Sequence, residues 1–168
     1  MNRYTSTKLL LVLLLSAFLL SFTAKPYKAN YAGSWKLNEQ KSELDDFGKR
    51  IAPQKLKIEQ KDDQIIIART GTRFDGAEYT TSETITFDGK IAETTVYETS
   101  KKKSSIKWAE DGNSFVITSI LLWNANGETT EVNITENWSL GSDGKTLMVD
   151  SKSSSSMGEL NMKMTFDK

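Results

Sequence analysis

Two strand–turn–strand units built to one plan constrain this chain most. Trp108-Ala109-Glu110-Asp111-Gly112-Asn113-Ser114-Phe115-Val116-Ile117 returns as Trp138-Ser139-Leu140 followed by Ser142-Asp143-Gly144-Lys145-Thr146-Leu147-Met148-Val149. Asp-Gly between two alternating apolar runs is a strong hairpin signal, because a tight turn needs positive φ and Gly adopts it without a Cβ clash. Asp88-Gly89-Lys90 and Asn126-Gly127-Glu128 punctuate the chain in the same way. A succession of such hairpins is an antiparallel meander, most simply closed into a barrel. The repetition specifies an architecture and names neither ligand nor reaction.

The N-terminus stands apart from this pattern. Arg3 and Lys8 precede an apolar run from Leu9 to Leu20, and Ser21-Phe22-Thr23-Ala24 ends it ahead of Lys25-Pro26. A basic start, a short apolar centre and a small-residue end describe a secretory signal peptide. A membrane span normally needs about 18 or more apolar residues, and this run stops earlier. Residues 1–24 are therefore expected to be a signal peptide, and residues 25–168 a single domain in a secreted or periplasmic protein.

Composition narrows the chemistry. Lys and Arg number 22 and Asp and Glu 22, and the leader removes only cations, so the remainder is slightly acidic and lacks the electrostatic footprint of a nucleic-acid binder. The cluster Lys101-Lys102-Lys103 reads as a solvated turn between strands rather than as an anion-binding patch. There is no Cys and no His. That inventory excludes disulfides, thiol nucleophiles, His-based triads and His-dependent zinc sites. No metal or cofactor is expected, and the chain reads as a non-enzyme.

From Gln54 onward the pattern has period two, the signature of half-buried strands. Leu56 and Ile58 alternate with charged residues, and a turn at 61–63 leads into Ile65-Ile66-Ile67. Gly71 to Gly76 reads as a connection, and strands are expected over 79–87, 91–98, 104–108, 115–123, 129–140, 146–151 and 158–166. Thr is abundant in them, as a pleated, half-exposed surface favours. Ser153-Ser154-Ser155-Ser156 reads as a flexible turn. Near the start, Gly33 to Asn38 forms a first strand carrying Trp35 and Leu37, and Asn38 fits the N-cap of one short helical turn through Phe47, ended by Gly48.

The same phase sorts the faces. Val132, Ile134, Trp138 and Leu140 share one side, as do Leu160, Met162, Met164 and Phe166. Phe115, Ile117, Leu121 and Trp123 form another set, opposed by Val116, Ile120 and Leu122. That strand is apolar on both faces and is either covered or a contact surface.

Charged residues interrupt these stripes. Glu136 falls in phase with Ile134 and Trp138, Glu83 with Ile85 and Phe87, and Arg69 with Ile65 and Ile67. The glutamates occupy matched places in a second repeat, Ser82-Glu83-Thr84-Ile85-Thr86-Phe87 against Thr135-Glu136-Asn137-Trp138-Ser139-Leu140. A carboxylate inside a barrel is costly unless paired or hydrated, and Arg69 is the candidate partner. Either these groups anchor a ligand in an apolar cavity, or they form an internal ion-pair network or a wet rim. Two carboxylates could in principle hydrolyse a glycoside, but nothing beyond their pairing suggests it. Trp108 and Trp138, with Met162 and Met164, could line the same cavity or simply fill the core. The cavity candidates are thus Arg69, Glu83, Trp108, Glu136, Trp138, Met162 and Met164.

Gly33-Ser34-Trp35 on the first strand, ahead of a barrel-like meander, resembles the Gly-x-Trp signature of lipocalins and related calycin barrels. The longer opening Gly33-Ser34-Trp35-Lys36-Leu37-Asn38, with Lys41-Ser42 and repeated Asp-Gly turns, is similar to small secreted bacterial proteins with lipocalin-like barrels. The resemblance implies structural roles for Gly33 and Trp35, and a basic residue near the last strand packed across Trp35, here Lys163. It also implies binding of a small apolar or amphipathic molecule. The expected fold is thus all-β: an antiparallel up-and-down meander closed into a lipocalin-like β-barrel of about eight to ten strands, with one short helical turn. The leading function is binding of a small hydrophobic or amphipathic ligand in that barrel. The alternative is a cell-envelope interaction module, for protein or glycan, with a filled barrel.

Overall fold

The computed structural model describes residues 28–168 apart from 74, 97, 98 and 126. The expected signal peptide lies outside the described residues. Ten strands alternate with turns: β1 (Gly33–Leu37), β2 (Lys55–Gln60), β3 (Gln64–Thr72), β4 (Glu78–Thr86), β5 (Ala92–Val96), β6 (Ser100–Trp108), β7 (Ser114–Ala125), β8 (Glu128–Leu140), β9 (Thr146–Ser155) and β10 (Gly158–Asp167). They form one antiparallel sheet in the order β4-β3-β2-β1-β10-β9-β8-β7-β6-β5. The sheet curls until its two edges, β4 and β5, lie beside each other. Among the described residues no ladder joins those edges, so the barrel is nearly closed with one seam.

The repeated sequence produces a repeated backbone. After β6 the amide of Ala109 donates to Ser114 and that of Gly112 back to Ala109. After β8 the amide of Gly141 donates to Thr146 and that of Gly144 back to Gly141. Gly112 and Gly144 take φ of 68° and 63°. In both turns the Asp carboxylate accepts from the amide two residues on, Asp111 from Asn113 and Asp143 from Lys145. Asp supplies the side-chain acceptor and Gly the left-handed backbone.

Four local expectations are corrected. Asn38 caps only a 3-10 turn over Glu39–Lys41, and the α-helix, α1, spans Asp46–Ile51 with Asp45 as its N-cap. Gly48 lies inside α1, where its missing side chain lets the helix approach Met162. Asp46 in its first turn and Lys49 and Arg50 in its last then suit the helix dipole. Lys101 to Lys103 are not a turn but part of β6. Ser153 to Ser155 belong to β9 and pair with both β8 and β10, leaving Ser156 to turn. Gly71 lies within β3, opposite Tyr79, whose ring covers the space a Cβ would need.

The basic residue over Trp35 is also different. Lys168 places its ammonium 5.0 Å from the Trp35 ring, whereas Lys163 pairs with Glu43 at 2.8 Å. Lys168 occupies the space beside Gly33, where a Cβ would meet its side chain at 2.8 Å. Lys163 alternates outward on β10, between inward Met162 and Met164, so strand phase denies it the role.

One end of the barrel is packed shut. The segment ahead of β1 crosses it: Ala29 donates to Gly112, and Gln60 binds both Ala29 and Tyr31 through its side chain. Tyr31, fully buried, packs edge-on to Trp108 and tilted against Phe115, with ring centroids 5.9 and 4.6 Å away. Its hydroxyl donates a shared proton to the carbonyls of Asn113 (2.8 Å) and Trp138 (3.1 Å). Its own carbonyl accepts the Trp35 indole N–H at 3.0 Å. Around this plug pack Phe115, Trp138, Leu147, Val149 and Phe166, with Ile58, Ile65, Ile67, Ile85 and Ile117 in the same core.

Candidate functional site

Toward the other end the inward positions change from apolar to polar. On β3, Ile65 and Ile67 are followed by Arg69; on β4, Ile85 is preceded by Glu83; on β8, Trp138 is preceded by Glu136. Strand β6 presents Ser100, Lys102 and Ser104 before Ile106, and β7 presents Ser119 after Ile117. Register sets these at one level: Arg69 lies opposite Thr81 and diagonal to Glu83, while Glu136 lies between Ile117 and Ser151. Diagonal neighbours on one face are within reach of long side chains.

The result is a buried ionic belt. Arg69 spreads its guanidinium between two carboxylates, donating through Nη1 to Glu83 and through Nη2 to Glu136 at 2.8 Å. Lys102 donates to Glu83 Oε1 at 3.0 Å and Ser104 to Glu83 Oε2 at 2.9 Å; Ser104 and Ser119 share a hydrogen bond of 2.9 Å. Glu83 therefore ties β4 to β6 by side chains across the seam that lacks a ladder. The Glu83 side chain is 3% exposed. Burial pushes its carboxyl up, but Arg69 and then Lys102 outweigh that and bring it down to about 2. Arg69 is destabilised by burial, yet Glu136 and Glu83 hold it protonated. Its guanidinium also lies 5.6 Å from the Trp138 ring, within cation–π range.

Beside this belt is a cavity of about 170 Å³. Val96, Leu121 and Ile134 form its apolar wall, and Arg69, Glu83, Lys102 and Glu136 its polar one; Thr81 and Ser82 complete it on the β4 side. Ser82 is exposed and out of phase with the inward residues of β4, so the cavity opens along the seam. Among the described residues no group of three or more acidic side chains is placed to hold a metal ion. A larger groove, of about 380 Å³, runs outside the barrel past Lys49, Arg50 and Arg73. Two of those cations belong to the last turn of α1, where they offset its dipole.

Of the sequence-derived candidates, Arg69, Glu83 and Glu136 come together on the cavity. The other four do not line it. Trp138 and Phe115 stack with centroids 5.5 Å apart and Trp108 packs edge-on to Phe87, all toward the closed end. Met164 is buried in the same core, and Met162 lies under α1. Two residues at key positions escaped the sequence reading. Lys102 looked solvated within its basic run, although counting back from Ile106 and Trp108 in steps of two places it inward. Tyr31 sits in a stretch without periodicity and carried no local signal. On the outer face of β7, Val116, Ile120 and Leu122 each stand between a lysine of β6 and a polar residue of β8. Of the three, Ile120 is exposed at 39%, while Val116 and Leu122 are half-buried.

These features define a class: an all-β barrel of ten antiparallel strands, nearly closed, with two short helical pieces between the first two strands. Among solved structures the chain is similar to zebrafish ileal bile acid-binding protein complexed with cholic acid, with a TM-score of 0.51 and 16% identity over 82% of this chain and 98% of that one. At that identity the likeness is one of fold. No protein-family model matches the chain, and no curated protein matches it.

Proposed function

We propose that this protein is a non-enzymatic binder of a small amphipathic molecule, held in the open half of the barrel. The observation that carries the reading is the cavity, with Val96, Leu121 and Ile134 on one side and convergent charged groups on the other. An apolar wall with a few placed polar groups is the usual composition of a small-molecule site. A solved barrel of similar fold in complex with cholic acid supports the same reading. The volume sets the scale of the ligand. Drug-sized sites run to roughly 300–1,000 Å³, whereas an apolar cavity of about 150 Å³ accepts benzene. A six-carbon amphiphile is the appropriate probe.

In an NMR titration of methyl-labelled protein with 1-hexanol, hexanoate and hexylammonium, at least one should shift Val96, Leu121 and Ile134 saturably. Ile106 and Val149, in the closed core, should stay unmoved. No saturable shift with any of the three would overturn the reading. The proposal includes export through residues 1–24. Protein recovered outside the cytoplasm should then begin near Lys25 on N-terminal sequencing, and cytoplasmic protein with Met1 intact would remove this part.

A further inference from the structure

We infer that the cavity selects an uncharged polar end, a hydroxyl or an amide, over a carboxylate or an ammonium; this rests on the binding reading above. The ionic groups on the cavity are two cations, Arg69 and Lys102, and two anions, Glu83 and Glu136. They are already matched. Arg69 spans both carboxylates, and Lys102 is bound to Glu83. Glu83 receives Arg69, Lys102 and Ser104, three of its roughly four acceptor sites. A ligand carboxylate entering here would lose its water beside two like charges, with no unmatched cation to receive it. An ammonium would meet the same difficulty beside Arg69 and Lys102.

A neutral polar end meets no such opposition. Lys102 has three donor protons, of which Glu83 takes one. Glu136 accepts Arg69 through Oε2, and its Oε1 carries no hydrogen bond among the described residues. A hydroxyl can accept from the first group or donate to the second without disturbing the matched charges. The apolar wall then takes the hydrocarbon. The belt thus acts as a neutral polar lining rather than as an anion receptor.

The test compares isosteric probes in the same methyl NMR titration at pH 7. 1-Hexanol should bind at least about tenfold more tightly than hexanoate or hexylammonium. Glu136→Gln keeps the shape and an acceptor for Arg69 but leaves the cavity one positive charge in excess. In that variant hexanoate should gain about tenfold, and its affinity relative to 1-hexanol should rise with it. Hexanoate or hexylammonium binding as tightly as 1-hexanol in the unmodified protein would overturn the inference while leaving the binding reading intact. That comparison needs no variant. Unchanged hexanoate affinity in a Glu136→Gln protein that keeps the parent spectrum would overturn it also. Silence from all three probes would remove the binding reading and this inference together.

Discussion

Glu83 carries a buried carboxylate on β4, one edge of the barrel seam. A carboxylate 3% exposed would be untenable alone, and it is held by two cations and a serine hydroxyl from strands on both sides of the seam. Its carboxyl lies at about 2 in the folded protein against 4.5 ordinarily. Below pH 4.5 the unfolded chain therefore takes up a proton that the folded chain refuses until about pH 2. The stabilisation, about 3 kcal/mol by linkage, is fully present above pH 4.5 and fades as the pH falls toward 2. Urea midpoints measured from pH 7 to 2 should show this decline in the unmodified protein. Glu83→Gln should lack that part of it, although other depressed carboxyls such as Asp143 and Asp167 still contribute. Identical pH slopes in the two proteins would be inconsistent with this role. Much of the belt was legible at this scale, because the matched repeats around Glu83 and Glu136 and the phase of Arg69 pointed inward. Lys102 was not, since a run of three lysines looks solvated unless strand phase is counted through it.

Among elements, the hairpins follow most directly from local sequence. Gly89 and Gly144 hold φ of 76° and 63°, and a Cβ at either would meet nothing within 4 Å. Replacement by Ala therefore costs only the backbone conformation. Gly89→Ala and Gly144→Ala should each lose about 1 kcal/mol in urea denaturation, and Gly144→Asn should lose less, because Asn tolerates the left-handed region. Losses near zero for both alanines would mean that the turns relax to another form. The helical insert was less legible. Asn38 is a sound cap, but it starts a 3-10 turn; Asp45 and Asp46, which would sit poorly near a helix C-terminus, mark the true beginning of α1 instead. The four serines misled for a related reason. Ser favours turns in isolation, whereas between β8 and β10 a ladder on each side fixes Ser153 to Ser155 as strand.

At the scale of the whole molecule, the barrel is packed at one end and open at the other. Tyr31 and its aromatic neighbours fill the first, and the cavity at the β4–β5 seam occupies the second. By itself, the sequence determined the antiparallel meander, its Asp-Gly turns and the inward phase of Trp138, Glu83, Glu136 and Arg69, because period two and Asp-Gly chemistry act between near neighbours. Only the tertiary structure decided that Tyr31 seals the barrel, that Lys168 covers Trp35, and that Trp108 and Trp138 lie in packed core while Glu83 borders the space. Those outcomes depend on which strands meet when the sheet curls, a contact between residues far apart in the chain that no local period encodes.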